Sequence, residues 1–536
     1  MNLRAPLGIA TAAILLIGAA PNPPLQTTVI TGGTIFDGSL RQPTVGDVVI
    51  QGDRIVAVGL NVGKRYRNAK RIDARGMVVA PGFIDPHTHS DAFIRSSDPA
   101  ERIVAPWLAQ GVTTIVTGVD GYGQGSGTVG GLFDHIQQNG VGPNVATFVG
   151  FGAVRTKVLN NDNRAPSETE LETMKKLTAS GMCEGALGLS TGLFYAPQSF
   201  AYTSEVIAVA SEAAQRGGVY DTHQRDESNY TIGVVKSVEE GIAIGRGAGL
   251  PVHFAHLKAL GAEVHGKAGE IISTIEAARS GGLLVTADQY PYEASGSSLV
   301  ASLVPRWAQD GGPTALLTRI LATDTRARIV GDMVLNLARR GGANAVLLRG
   351  TGQPWTGKRL DAVASDWGVD PIEAALRIIV HDEGKGSPIV SFNMNEADIK
   401  LLMRQPWMMT GSDGSAGHPR MYGTYPTKYA TYVLKEKTID LLTFINSSSG
   451  RVADFYKFDR RGYIKPDYFA DIVMFDAATY RPRATYDDPN KLAVGISLVM
   501  VNGALAINDG TITGLRAGRG LKHHPTPGSC SPSTRR

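Results

Sequence analysis

The chain has 536 residues, 43% hydrophobic and 19% charged, with 64 glycines and a formal net charge of +4. That length exceeds one minimal domain and suits a barrel with an accessory domain. The small charge forms no basic stripe with interleaved aromatics, so nucleic-acid binding is not expected, and no repeat, coiled coil or low-complexity segment supports a scaffold role.

In chain order, residues 1–20 read as an export signal: Arg4 gives a positive start, Leu7 to Gly18 is apolar, and Ala19-Ala20 offers a small-residue cleavage region before Pro21. The apolar stretch is short for a bilayer span. An exported bacterial protein, periplasmic or secreted and without an integral membrane segment after cleavage, is the expectation; an uncleaved anchor is the alternative. Residues 28–80 alternate as strands around glycine turns, including a hairpin at Gly52-Asp53. A matching β texture returns over 465–517, which predicts one small β-sandwich domain built from both ends of the chain.

Residues 81–464 switch to short apolar strands separated by helix-length segments. Strands are expected near Val78–Asp85, Thr113–Thr117, Ala146–Val149, Gly185–Leu189, Val219–Thr222, Val252–Ala255, Leu284–Asp288 and Trp407–Thr410. Eight such units close a (β/α)8 TIM-like barrel with its chemistry at the strand C-termini. Ile389–Phe392 would be a ninth strand and is placed in or just after a helical insertion over 299–399, between the seventh and eighth strands, of the kind that forms lids. The tail 518–536, rich in Pro, Ser and Arg, is expected to be disordered. The two cysteines, Cys183 and Cys530, are read as unpaired, with a disulfide as the less favoured alternative.

The polar residues at these strand ends form a pattern. Gly82-Phe83-Ile84-Asp85-Pro86-His87-Thr88-His89 follows an apolar run, and the strand period of two points His87 and His89 to one side. His223 ends the fifth strand and His256 the sixth, while His253 has the other parity and is read as structural. Asp413, in Gly411-Ser412-Asp413-Gly414, ends the eighth. Histidines and a carboxylate converging at one barrel mouth suit zinc, as one or two ions, or another divalent metal. Asp413 could then take a proton from activated water and return it to a leaving nitrogen.

With these strings in view, the chain resembles the amidohydrolase superfamily, and within it the N-acyl-D-amino-acid deacylases (D-aminoacylases). Further matching strings are Gly192-Leu193-Phe194-Tyr195-Ala196-Pro197, Thr222-His223-Gln224-Arg225-Asp226-Glu227, His256-Leu257-Lys258, Tyr290-Pro291-Tyr292 and His418-Pro419-Arg420. The resemblance implies a small-molecule substrate, an N-acyl-D-amino acid or short peptide, with no implication for oligomeric state. It implies His87 and His89 at one metal position, His223 and His256 at the other, and Asp413 as catalytic acid/base. Lys258 and Arg420, with Tyr290 nearby, would receive the substrate carboxylate.

Two departures from the family pattern stand out. Gly118-Val119-Asp120-Gly121 puts Asp120 where the family carries a metal-ligating cysteine, although a turn-capping role competes for that aspartate. Ala294-Ser295-Gly296-Ser297 puts glycine where a substrate-contacting serine is aligned, with Ser295 or Ser297 one residue away. Gly188-Leu189-Ser190-Thr191-Gly192 offers no lysine to bridge two metals, which disfavours the lysine-bridged relatives. The competing readings are a peptidase acting on D-configured or modified peptides and a catalytically inactive metal- or ligand-binding barrel.

Overall fold

The computed structural model describes residues 26–123 and 128–530. The expected export signal lies outside them, and among the described residues no helix is long and apolar enough to cross a membrane.

Eight parallel strands run in ring order. The first is Phe83–Asp85, the second Val112–Thr117, and the third Asn144–Thr147 continuing as Val149–Gly150. Gly188–Gly192, Val219–His223, Val252–Phe254, Val285–Gln289 and Met408–Thr410 complete the set. The eighth strand meets the first at their outgoing ends, where Asp413 N donates to His87 O at 2.9 Å and His89 N to Gly414 O at 3.1 Å. The second strand, Val-Thr-Thr-Ile-Val-Thr, is buried along its whole length. β-Branched side chains suit such a two-sided environment, packed inward on the barrel and outward on helices. One long helix carries a clear local start signal. Before Glu168–Cys183, Ser167 N donates to Glu170 Oε2 at 2.8 Å while Glu170 N donates back to Ser167 Oγ at 3.4 Å, a reciprocal cap.

Both ends of the chain meet in a nine-stranded sheet. Val78–Pro81, at the end of the N-terminal set, pairs antiparallel with Ile472–Phe475 from the C-terminal set. Its two halves share an apolar interior that includes Ile30, Val48, Ile50, Ile472 and Leu498. The single strand expected over Val78–Asp85 is divided at Gly82, its first part joining this sheet and its second opening the barrel. A Cβ at Gly82 would stand 2.2 Å from Thr113, so the chain crosses between the two bodies where only glycine fits.

The insertion starts earlier than residue 299 and is not purely helical. Ala294–Ser298, Val346–Leu348 and Pro388–Phe392 form a three-stranded antiparallel sheet, which is where Ile389–Phe392 belongs. Helices Gly312–Leu321, Thr323–Arg339, Leu360–Trp367 and Pro371–His381 give this body its own apolar core.

Two expectations are corrected at the C-terminus. Cys183 and Cys530 are joined by a disulfide, with Cα atoms 5.7 Å apart. The tail is placed along 518–530: Leu521 N donates to Val145 O at 2.7 Å and His523 N to Gly185 O at 2.9 Å. Its polar composition hid a segment whose backbone groups are satisfied by the barrel and whose end is covalently tied; residues 531–536 lie outside the described part.

Candidate metal centre

The nine residues assigned to metal or substrate are brought together: eight lie at or just past the outgoing ends of barrel strands, and Arg420 opens the helix Arg420–Thr427 that follows the eighth strand. Asp120 sits at the centre. Its Oδ1 is 3.4 Å from His87 Nε2, 3.5 Å from His256 Nε2 and 3.6 Å from His223 Nδ1, while Oδ2 is 3.5 Å from His89 Nε2. Its backbone is left-handed, with φ 53°, and its carbonyl oxygen accepts from Gln198 Nε2 at 2.8 Å. A Cβ at Gly192 would lie 2.3 Å from that oxygen, so the fourth strand must end in glycine for the Asp120 loop to pack here. Asp120 therefore occupies a turn, as the competing reading expected, and still aims its carboxylate at the four imidazoles.

Asp413 closes the group from the eighth strand. Oδ1 is 3.1 Å from His89 Nε2, and Oδ2 is 2.7 Å from Arg420 Nη1. Like Asp120 and His256, Asp413 has a positive φ, 47°. Side chains that converge on one point from different strands are commonly held on such sparsely populated backbone. Candidate ligand atoms of His87, Asp120, His256 and Asp413 all lie within 4.8 Å of one another; so do those of His223, Glu227 and His256. His256 is thus common to both groups, whereas the family resemblance paired it with His223 alone.

Glu227 is the residue that sequence reasoning passed over, although it stands in one of the matching strings. Its Oε1 is 3.2 Å from His256 Nδ1 and accepts from Lys258 Nζ at 2.5 Å; Oε2 is 3.7 Å from His223 Nε2. A carboxylate four residues beyond a strand-end histidine was the available signal. Lys258 is consequently not a free cation, being bound to Glu227 and 2.7 Å from His256 Nδ1. Arg420 and Lys258 face the ring of Tyr290 at 4.8 and 5.6 Å from its centroid. His253 turns away to Asp288 and Thr286, at 2.9 and 2.8 Å. Asp85, also unremarked in the sequence, accepts from Ser412 N at 2.9 Å and Trp107 Nε1 at 3.0 Å, tying the eighth strand to the first beneath the site.

The wall beside Arg420 accounts for the glycine departure. A Cβ at Gly296 would fall 2.9 Å from Arg420 Nη2, so a side chain there would displace the guanidinium. Ser295 and Ser297 flank it and line the same cleft. A larger cavity, about 600 Å³, lies among the helices Val129–Asn139, Phe151–Leu159 and Glu168–Cys183 and contains none of these nine residues.

The charges of the centre are strongly coupled. Burial would raise the Asp120 carboxyl, but the imidazoles of His87 and His223 outweigh it and hold it well below the usual range. Burial likewise opposes ionisation of Asp413, and Arg420 and His256 overcome it. His87 is pushed up to about 9, against burial, by Asp120. His256 reaches about 10, against burial and Lys258, through Asp413, Asp120 and Glu227. His223 is lowered, chiefly by burial.

A divalent cation fits this donor set. Both ring nitrogens of His87 and of His223, and Oδ1 of Asp120, are buried without a hydrogen-bond partner among the described residues. Leaving such groups unpaired costs about 1–3 kcal/mol each, and imidazole with carboxylate is a competent zinc environment. A cation bound among them would replace the protons that the histidines otherwise take up.

Comparison with known proteins is consistent with this geometry. The model of the Amidohydrolase family matches residues 70–507. D-aminoacylase of Alcaligenes xylosoxydans xylosoxydans is 31% identical over 522 residues, covering 92% of this chain and 97% of its own. N-acyl-D-aspartate deacylase of the same organism is 30% identical, covering 91% and 93%. The solved structure of N-acyl-D-glutamate deacylase from Bordetella bronchiseptica, complexed with zinc and a phosphonate mimic of the tetrahedral intermediate, superposes with a TM-score of 0.78. It shares 28% identity and covers 93% of this chain and all of its own.

Proposed function

The chain belongs to the D-aminoacylase branch of the amidohydrolase superfamily, and from that membership we propose that it hydrolyses the amide bond of N-acyl-D-amino acids, releasing the free amino acid and a carboxylic acid. The observation that carries this reading is the position of Asp413, with one oxygen 3.1 Å from His89 and the other 2.7 Å from Arg420. A proton acceptor stands between the histidine cluster and a guanidinium able to bind a carboxylate.

The metal we propose is zinc, as one or two ions, held by His87, His89, Asp120, His223, His256 and Asp413, with Glu227 within reach of the same group. Zinc lowers the pKa of water from 15.7 to roughly 7 and polarises a carbonyl oxygen. Asp413, kept ionised by Arg420 and His256, takes a proton from the attacking water and hands it to the departing nitrogen. Arg420 binds the α-carboxylate of the substrate and so sets the scissile amide beside Asp413. Lys258 adds a fixed positive charge through its contacts with Glu227 and His256, and Tyr290 supplies an apolar wall.

We propose export of the protein as well. The Cys183–Cys530 disulfide is of the kind that persists in oxidising compartments such as a bacterial periplasm.

The test is a panel of N-acetyl-D- and N-acetyl-L-amino acids assayed with zinc, cobalt and manganese. Metal-dependent release of the D-amino acids alone is expected. Absence of turnover with every metal would overturn the reading, and L-selective release would overturn its stereochemistry.

A further inference from the structure

The insertion arms the cleft with positive charge that the proposed chemistry does not use. Arg340 follows the helix Thr323–Arg339, is buried, and lines the same cleft as His223, Glu227 and Asp413. Its Nε donates to Tyr230 Oη at 2.7 Å and its Nη1 to Ser295 Oγ at 3.4 Å. Arg306, from the short turn Arg306–Gln309, lies behind it with its guanidinium 4.0 Å from the ring centroid of Phe194, another wall residue. One of its terminal nitrogens donates to Ala301 O at 2.8 Å, and the other is buried with no hydrogen-bond partner among the described residues.

Neither arginine forms an ion pair with a carboxylate among the described residues. The nearby Asp226 is already engaged: its two oxygens accept from the backbone N–H groups of Ser228, Tyr230, Thr231 and Gly233. A buried guanidinium beside a half-buried one, with no carboxylate paired to either among the described residues, is expensive to maintain. Their spare N–H groups form a fork suited to a carboxylate. Burial, with Arg340 as a neighbouring cation, lowers Arg306 to about 10, and an arriving anion would relieve that repulsion.

We infer that the substrate carries a second carboxylate, beyond the one given to Arg420, and that Arg340 backed by Arg306 reads it. This rests on the amide-hydrolase reading of the same cleft and specifies its substrate as a dianion. Two sources share that chemistry: an acidic amino-acid side chain, or a dicarboxylic acyl group.

Calorimetry on zinc-loaded Asp413→Asn protein, in which turnover is suppressed, separates them. One arm compares N-acetyl-D-glutamate with N-acetyl-D-glutamine, the other N-succinyl-D-leucine with its terminal amide. A charged hydrogen-bonded partner is worth about 1.5–3 kcal/mol, so one acid should bind about 10- to 100-fold more tightly than its amide. The arm that shows this identifies the source. The ratio should collapse toward one when Arg340→Met is added, and fall when Arg306→Met is added. Ratios near one in both arms, or a ratio that neither substitution changes, would overturn the inference. The comparison of acid with amide needs no substitution of either arginine, so it stands even if Arg340→Met fails to fold. If no amide is hydrolysed by the wild-type protein while the ratio holds, the deacylase reading fails and the dianion site remains.

Discussion

Arg420 Nη1 lies 2.7 Å from Oδ2 of Asp413, so the guanidinium assigned to the substrate carboxylate rests on the acid/base in the free protein. One residue is thereby linked to both recognition and proton transfer. Arg420→Ala should lower kcat/KM for a substrate with a free α-carboxylate about 10- to 100-fold, the worth of a charged hydrogen bond, and much less for the matching amide. Burial would raise the Asp413 carboxyl and Arg420 is the chief group holding it down, so the acid limb of the pH profile should also move upward. Equal losses for acid and amide with an unmoved limb would leave Arg420 a structural residue.

Asp413→Asn preserves shape and removes the proton acceptor. Turnover should fall about 10²- to 10⁴-fold, the usual range for a general acid/base, with substrate binding much less affected. Near-normal turnover would take Asp413 out of the mechanism.

Asp120 stands 3.4–3.6 Å from three imidazoles through one oxygen. Asp120→Ala should release metal and activity together. Asp120→Cys should retain zinc and resist exchange by cobalt or manganese, since thiolate is the softer ligand. Metal content of the purified variants decides this: full occupancy and unchanged activity in Asp120→Ala would reduce Asp120 to its turn.

The disulfide spans 347 residues of chain. Restricting so long a loop in the unfolded state is worth about 2–5 kcal/mol. Cys530→Ser should lower Tm, and a reductant should lower the wild-type Tm by the same amount while leaving the variant unchanged. Identical melting of oxidised and reduced wild type would remove the bridge from the stability of the fold.

Lys428 is buried, and its Nζ donates to Thr410 Oγ1 at 2.9 Å. Burial, with Arg451 adding, lowers it from 10.5 to about 7. Between those values the unfolded chain holds the proton more tightly than the folded one, so this group makes stability rise with pH across that window, by at most about 1.4 kcal/mol per pH unit. In Lys428→Met that rise should flatten, and the variant should be the more stable near pH 7. Parallel Tm–pH curves for the two proteins would contradict this assignment.

The sequence by itself determined the barrel and the places where its chemistry could sit. Runs such as Val112–Thr117 and Val219–His223 announce buried parallel strands within five or six residues, and polar residues at their outgoing ends face the mouth of the ring. His87, His89, His223, His256 and Asp413 could each be picked from neighbours a few positions away. What only the tertiary structure decided depends on residues that meet through barrel closure. Asp120 could be a ligand or a turn cap in sequence, and only in space does it stand at the centre of four histidines. Asp85 becomes a tie only through Ser412, 327 residues on. Cys183 finds Cys530 because the tail runs back along the barrel, its backbone bonded to Val145 and Gly185. Arg340, unremarkable in its own segment, reaches the cleft with Arg306 behind it because the insertion folds over it. Local periodicity encodes which face of an element is apolar; it does not encode which distant face will close against it, and the distances at this centre are set by that closure.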